Sequence, residues 1–421
     1  MKAKLLNLIQ KYLQFLARWK VRRAKPKIIT ITGSYGKTST KEAIYYLLSK
    51  KFGTDVGKNW GNMNSILGLP LAILGLRSYS FGAGLFWDII KAKWGFLFHR
   101  LPKILVLELG IDKPREMDQL LSVVVPDIAV LTGVSETHTE ELKDIEGVKR
   151  EKLKMIEALK KGGVAIINTD DENSADLTPA KGVKRVTFGK EGADVSFSGL
   201  KITIAGSEFK LKIGSESAEV NSKLIGEHSI KILLAATAVT REFSIDIAEI
   251  KKGLEEIKPQ NGRMNPLKIK NQIVVIDDSY NSNPKSAIEA LSALKSIEFS
   301  GRKMAILGNM NELGSYTEEG HKEVGEVTGK SADYAIFVGE NAKYMAAGAE
   351  KTGMSLSKMK MLKTPDEVIK IIDEIIKPGD LILIKASQNR MRFENIVKYL
   401  LDDEKLAQEL LVRQEKKWQD K

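Results

Sequence analysis

Residues 27–48 read KIITITGSYGKTSTKEAIYYLL. Ile28 to Thr32 are all β-branched and carry no charge, which predicts a strand buried on both faces. Ala43, Ile44, Leu47 and Leu48 then recur at helical spacing, so a helix is expected from the Lys37-Thr38 pair onward. Between strand and helix lies Gly-Ser-Tyr-Gly. Gly33 and Gly36 let the backbone turn its N–H groups inward toward an anion. The positive end of the helix dipole adds to that attraction. Lys37 can reach β- and γ-phosphates, and the Thr38 hydroxyl can ligate Mg²⁺. Strand, glycine loop, Lys-Thr and helix form the context of a triphosphate-binding loop. The spacing is G-x-x-G-K-T rather than the usual G-x-x-x-x-G-K-[ST], because the first glycine falls at position 33. The flanking strand and helix separate the match from a chance one.

Outward from this loop, KILVLELG (103–110) and DIAVLTGV (127–134) are further short strands, and strands alternating with helices imply a mostly parallel α/β sheet. From about 190 to 224 the pattern alternates with period two, which predicts antiparallel hairpins appended to that sheet. A helix follows in SIKILLAATAVTREF. Pro, Gly and Asn cluster in KPQNGRMNP (258–266), where a domain boundary is placed. Beyond it QIVVIDDSY, KMAILGNM, YAIFVG and DLILIKAS are strands of a second α/β unit, Rossmann-like in pattern, and the charged tail after 402 reads as a helix end. The expected organisation is a basic leader helix over 1–27, a nucleotide-binding domain over 28–261 and a C-terminal α/β domain over 262–421.

The 421-residue chain is 43% apolar, enough for two or three globular cores. It has no cysteine, which excludes disulfides and thiolate metal sites and suits a reducing cytoplasm. The net charge of +12 is local. Residues 1–27 hold nine Lys/Arg and no acid, residues 77–103 hold five Lys/Arg and Asp88, and the remainder is close to neutral. That distribution argues against a nucleic-acid-binding face. Both basic segments are also greasy. Asn7, Gln10 and Lys11 break the first too often for a secretory signal, and Asp88, Lys91 and Lys93 interrupt the second too often for a bilayer span. Two readings stand for each: a helix packed on its partner or on the body, or a helix lying on the inner face of an anionic membrane.

The chain resembles the Mur ligases, ATP-dependent amide-forming enzymes of peptidoglycan synthesis. TGSYGKTSTKE is similar to their ATP loop, GNMNSILGLPLAIL (61–74) to the Asn-rich segment that follows it, and LELGIDKPREMDQLL to the strand bearing a metal-binding Glu. The stretch ETHTEELKDIEGVKREKLKMIEALKKGGVAIINTDD resembles the one carrying a metal-binding His and a modified Lys. DDSYNSNPKSAIEAL and LGNMNELGSYTEEGHKEVG look like the branch that adds D-alanyl-D-alanine to a muramoyl-peptide acid. The motifs are collinear over about residues 28 to 400. The resemblance implies that ATP phosphorylates a carboxylate, that an amine attacks the acyl phosphate, and that cations surround the phosphoryl group in flight.

By the same resemblance, the nucleotide is held by Gly33, Ser34, Tyr35, Gly36, Lys37, Thr38 and Ser39, with His228, Arg263 and Asp277. Lys37, Glu108, His138 and Lys152 are the catalytic set. Mg²⁺ is held by Thr38, Glu108, His138 and a carbamylated Lys152, selected over Lys149 and Lys154 by the family's spacing. Asn62, Asn64, Asp278, Tyr280, Asn281, Asn283, Lys385 and Ser387 are the substrate-binding candidates. Such ligases are monomers in the cytoplasm and close their two domains over ATP.

The chain also departs from the family pattern. In GEHSIKI, Ser229 and Ile232 stand where the family has adenine-contacting asparagines, and Ala386 replaces the glycine of Lys-Gly-Ser. An aromatic and basic stretch is inserted at about 77–102. Only about 27 residues precede the first strand, too few for the family's N-terminal UDP-sugar-binding domain. The expectation is that a muramoyl-peptide acid is held by other surfaces or supplied by a partner, or that the acid is a different one, such as a lipid-linked acid. The rival readings are a folate polyglutamate synthase-like ligase, which the DDSYNSNP loop disfavours, and a non-catalytic nucleotide-binding scaffold at the membrane.

Overall fold

The computed structural model describes residues 2–80, 84–135, 139–388, 391–415 and Trp418. The chain divides into two compact units. The first comprises Met1–Ser198, Lys210–Ala218 and Lys231–Leu254, and the second Gly199–Phe209, Glu219–Ile230 and Glu255–Lys421.

The first unit begins with helix α1 (Lys2–Ala24), strand β1 (Lys27–Thr32) and helix α2 (Lys37–Phe52). Strand β2 (Val56–Lys58) and helices α3 (Gly68–Ile73) and α4 (Gly84–Phe98) lead to β3 (Ile104–Glu108). Then come α5 (Glu116–Val123), β4 (Ile128–Leu131), α6 (Thr139–Leu142), α7 (Ile145–Glu157), β5 (Val164–Asn168) and β6 (Lys184–Gly189). The sheet runs β2-β3-β1-β4-β5-β6 and continues through β7 (Val195–Thr203), β8 (Gly206–Ile213) and β9 (Glu216–Ser222). Pairing is parallel from β2 to β6. β3 and β5 are buried at every residue, as parallel strands covered on both faces must be. Strands β7 to β9 are joined by two-residue links, as antiparallel hairpins require, and alternate between buried and exposed. Helix α8 (Glu227–Arg241) follows, then α9 (Ile247–Glu256).

The register decides where the loop sits. Ile31 on β1 pairs with Glu108 on β3, and Thr32 pairs with Leu131 on β4. Gly33–Gly36 therefore emerges between the carboxyl ends of two neighbouring strands, the crevice where open α/β sheets take ligands. Helix α1 is built into the core beneath this sheet. Its Leu13, Leu16, Ala17 and Val21 are buried together with leucines of β3 and α3, each large one contributing about 1.5–3 kcal/mol.

The second unit carries β10 (Asn265–Lys268), β11 (Val274–Asp278), α10 (Pro284–Ser296), β12 (Lys303–Gly308), α11 (Thr317–Ser331) and β13 (Tyr334–Val338). Helix α12 (Ala342–Lys351), β14 (Met359–Leu362), α13 (Pro365–Ile375), β15 (Leu381–Lys385), α14 (Glu394–Leu400) and α15 (Ala407–Leu410) complete it. Its sheet has the order β10-β11-β15-β12-β13-β14, with only β10 antiparallel. Alternate residues feed two cores. Ile276, Leu381 and Leu383 face one side, and Val275, Ile382 and Ile384 the other. Ile202 and Ile225 join the first of these cores.

Strands β2, β5, β6, β10 and β14 went unread in the sequence. β2, β10 and β14 lie at sheet edges and are partly exposed, so none shows a continuous apolar run. β5 is buried throughout and has the apolar run VAII, while β6 starts on two exposed cations, Lys184 and Arg185. β10 even contains Pro266, which an edge tolerates.

Candidate active site

The loop between β1 and α2 has the geometry its glycines permit. Gly33 has φ +152°, and a Cβ there would lie 1.9 Å from Thr132 Oγ1. Gly36, at φ +72°, leads into α2 with no side-chain cap. The positive end of that helix's dipole therefore faces the loop. The segment after β4 braces the loop. Thr132 Oγ1 donates to the Tyr35 carbonyl at 2.5 Å, Ser34 N donates to the Gly133 carbonyl at 2.8 Å, and Ser135 N donates to Ser34 Oγ at 2.9 Å. The Tyr35 hydroxyl reaches Asp171 Oδ1 at 3.1 Å. Lys37 Nζ folds back on the Gly33 carbonyl at 2.7 Å, across the space a phosphate would enter. Thr38 and Ser39 are half-buried in the first turn of α2.

Glu108 closes β3 and is buried. Asn64 Nδ2 donates to its Oε1 at 2.8 Å, while its Oε2 is buried with no hydrogen-bond donor and lies 3.6 Å from Lys41 Nζ. Two residues not singled out in the sequence hold this carboxylate in place. Lys41 is fully buried, donates to the Asn59 carbonyl at 2.9 Å and lies 3.4 Å from Glu42. Asn59 is also fully buried. Its side-chain amide accepts from Glu108 N and donates to the Glu108 carbonyl, both at 2.9 Å, and donates to the Met63 carbonyl. Where β2 ends, this amide continues its pairing with β3. The signal for Lys41 was available: it sits one helical turn after Lys37, among positions of α2 that bury Thr40, Ala43 and Ile44. Asn59 gave none, since an Asn after a three-residue strand looks like a turn.

Lys152 lies on α7, whose N-terminus is capped by Asp144 accepting from Gly147 N at 2.7 Å. It is 1% exposed. Burial holds its ammonium well below the usual lysine range, and the positive charge of Lys37 adds to this, opposed by Asp112 and Glu151. The buried site thus disfavours the Lys152 ammonium relative to its neutral amine. The other two lysines of the segment differ: Lys149 is half-buried, and Lys154 bridges Asp118 at 2.7 Å and Glu151 at 2.8 Å. His138 lies outside the described residues. Among the described residues no three His, Asp or Glu side chains converge. The unsatisfied buried carboxylate oxygen of Glu108 and the Thr38 hydroxyl are nevertheless hard oxygen donors of the kind Mg²⁺ takes, and a carbamylated Lys152 would add another.

The remaining candidates gather in the second unit, at the carboxyl ends of β11 and β15. Asp277 is fully buried and accepts from Ser279 N and Gly262 N, both at 3.1 Å. Burial raises its carboxyl to about 6, the bonds from Ser279 and Gly262 oppose this, and the charge of Asp278 adds to it. Asp278 accepts from Met264 N at 3.1 Å and pairs with Lys385 Nζ at 2.6 Å. Lys385 also donates to the Asn281 carbonyl at 2.9 Å. Ser387 Oγ donates to the Ser282 carbonyl at 2.8 Å and accepts from Asn311 N at 3.0 Å. The Arg263 guanidinium stacks over the Tyr280 ring at 4.2 Å, with Arg413 on the same ring at 5.5 Å. Asn283 serves as the N-cap of α10 in a reciprocal box with Ser286. Asn62 is exposed in the first unit. His321, unread in the sequence, is fully buried. Its Nε2 accepts from Met310 N at 3.0 Å and its Nδ1 faces the Thr317 carbonyl at 2.6 Å, so a neutral ring fixes the loop after β12.

Comparison with known proteins places this arrangement. Residues 31–240 match the Mur ligase middle domain, and residues 262–388 the Mur ligase glutamate ligase domain. The chain belongs to the Mur ligase family. It is 31% identical over 392 residues to the UDP-N-acetylmuramoyl-tripeptide--D-alanyl-D-alanine ligase of Bacillus subtilis, covering 93% of this chain and 79% of the relative. The enzyme of the same description from Escherichia coli is 27% identical, with 85% of this chain and 75% of the relative covered. Among solved structures, MurF from Acinetobacter baumannii superposes with TM-score 0.79 at 26% identity, over 94% of this chain and 81% of that one. MurF from Thermotoga maritima in complex with ADP gives 0.77 at 26% identity, over 95% and 84%. This Mur ligase is thus an ATP-dependent enzyme forming an amide bond. Ser229, at the start of α8, donates its hydroxyl to the Ile225 carbonyl at 2.8 Å. Ile232 packs beside the loop, 3.9 Å from where a Gly36 Cβ would lie. His228 is half-buried in the first turn of α8.

Proposed function

We propose that this Mur ligase joins D-alanyl-D-alanine to the free carboxyl of a UDP-N-acetylmuramoyl-tripeptide or a close muramoyl-peptide analogue. It does so as a cytoplasmic monomer in contact with the inner face of the membrane. The observation that carries the reading is the first unit's combination of a phosphate loop, a buried carboxylate with one unsatisfied oxygen, and a buried lysine whose ammonium is disfavoured by desolvation. The relatives that share the whole chain's order of motifs bear that substrate pair in their names.

In this mechanism Lys37 leaves the Gly33 carbonyl and moves to the β- and γ-phosphates, while the Gly33–Ser39 loop and the N-terminal end of α2 wrap the phosphate chain. The Lys152 amine, its protonation disfavoured by burial, attacks CO₂, forming an N–C bond and releasing a proton, and so becomes a carbamate anion. Thr38, Glu108, His138 and that carbamate would hold Mg²⁺, which supplies positive charge to the phosphates. Asn64 and Lys41 fix the Glu108 carboxylate for this task. The substrate carboxylate takes the γ-phosphoryl group, giving an acyl phosphate and ADP. The amine of D-alanyl-D-alanine then adds to the acyl carbon, loses a proton and expels phosphate. Arg263, Asp277 and His228 serve the nucleotide. Asp278, Tyr280, Asn281, Asn283, Lys385 and Ser387, with Asn62 and Asn64, serve the two substrates.

The test is phosphate release from ATP and Mg²⁺ with purified enzyme, with each substrate alone and with both. Release that needs both, with a new amide product by mass, supports the reading. Release that neither substrate stimulates rejects the muramoyl-peptide acid.

A further inference from the structure

The two basic, greasy segments form one surface. The Trp19 and Phe96 rings lie 5.1 Å apart, Lys93 Nζ sits 5.8 Å over the Tyr12 ring, and Lys20 Nζ caps the end of α4 by donating to the Gly95 and Phe96 carbonyls. Burial of Leu13, Leu16, Ala17 and Val21 uses one face of α1. The opposite face carries Leu8, Tyr12, Phe15 and Trp19 at four- and three-residue spacing, exposed by 65%, 42%, 62% and 44%. Helix α4 repeats the spacing with Trp87, Lys91, Trp94 and Phe98, and the three aromatics are 63%, 61% and 72% exposed. Trp94 and Phe98 stack on each other at 5.3 Å. These seven apolar side chains leave on the order of 800 Å² of apolar surface open, beyond the few hundred a monomer usually tolerates.

Charge selects the partner. Cations are interleaved with the aromatics, as in Arg23 over Trp19 at 5.4 Å. Asp88, the one acid in the two segments, is buried and accepts from Ser80 N at 2.7 Å. At the edge of the face a cleft of about 350 Å³ is lined by Arg77, Ser78, Ser80, Asp88, Lys91 and His99, among others. Among the described residues no helix is long and apolar enough to cross a membrane. Aromatic stripes bordered by Lys and Arg suit a headgroup layer, where rings enter the acyl boundary and cations meet phosphates.

We propose that α1 and α4 together form a docking face for an anionic phospholipid surface, with the Arg77–Lys91 cleft receiving headgroup phosphate. This specifies the peripheral contact stated above and holds whichever acid the site uses. The experiment is co-sedimentation of the full chain with vesicles of phosphatidylcholine alone and of phosphatidylcholine mixed with phosphatidylglycerol, at low and high salt. ATP-dependent phosphate release is followed in parallel. Binding is expected only with phosphatidylglycerol and is expected to fall with salt. Lys11→Ala and Lys91→Ala should each weaken it about fivefold. Trp94→Ala combined with Phe98→Ala should weaken it about tenfold or more, and phosphate release on soluble substrates should not change. Absence of binding to anionic vesicles at low salt, or binding that these variants leave intact, overturns the proposal. Self-association in sedimentation velocity that Trp94→Glu dissolves would overturn it too, assigning the face to a second copy of the chain. Phosphate release is an independent readout, so failure of the ligase assignment is separately visible.

Discussion

Asn59→Ala tests how the chain holds Glu108 at the end of β3. The substitution removes three side-chain hydrogen bonds. It leaves the Glu108 N–H, the Glu108 carbonyl and the Met63 carbonyl without that amide, in a place where Asn59 is fully buried. An orphaned buried group costs about 1–3 kcal/mol, and the space vacated by an amide can admit a water that restores part of the loss. A net destabilisation of about 3 kcal/mol is therefore expected for the first unit, or roughly 6–12 °C in its melting temperature for a unit of this size. Tryptophan fluorescence reports mainly on this unit, because Trp19, Trp60, Trp87 and Trp94 belong to it and only Trp418 to the other. Peptide-level hydrogen exchange should show faster exchange over residues 104–110, and phosphate release should fall because the carboxylate loses its backbone anchor. A melting shift under about 2 °C with unchanged exchange at Glu108 would refute the reasoning, since the amide would then not be carrying that backbone.

Three further outcomes are expected. Lys37→Ala should lower phosphate release by about 10²-fold or more, as loss of a cation on the transferred phosphoryl group does, while the fold persists by circular dichroism; unchanged turnover would contradict the loop assignment. Lys152→Gln should abolish the carbamate signal in ¹³C NMR of enzyme equilibrated with ¹³CO₂ and lower turnover with it, whereas a signal surviving the substitution would move the modification to another lysine. Asp277 has a folded-state carboxyl raised to about 6 from 3.8, so the native state holds its proton more tightly than the unfolded state. Asp277's own contribution to the stability of the second unit is then fully present below about pH 4 and is lost, by about 3 kcal/mol, as pH rises through about 6. Asp277→Asn should flatten that part of the pH profile of the melting temperature, and an unchanged slope would assign it to other groups.

Local chemistry was sufficient for much of the architecture. Ile28–Thr32, the glycines at 33 and 36, and the period-two stretch after residue 190 each state their own conformation, because β-branching, positive φ and side-chain alternation are properties of a few adjacent residues. Strands β1, β3 and β4 of the first sheet and β11, β12, β13 and β15 of the second were legible because burial on both faces demands an uninterrupted apolar run. The edge strands β2, β10 and β14 were not legible, since an edge is defined only by what fails to pair with it.

The candidate site divides along the same line. Lys37, Glu108 and Lys152 carry their chemistry in their type and motif, and a sequence can name them. The sequence by itself could not say that Lys152 is the lysine whose ammonium is desolvated. Nor could it say that Asn59 and Lys41 grip Glu108, that the Asn283 carboxamide oxygen caps α10, or that α1 turns one greasy face inward and leaves the other open. Each of those depends on which residues distant in the chain exclude water around a given group. Burial, and the shift in charge and hydrogen bonding it enforces, exists only after β1 has been set between β3 and β4.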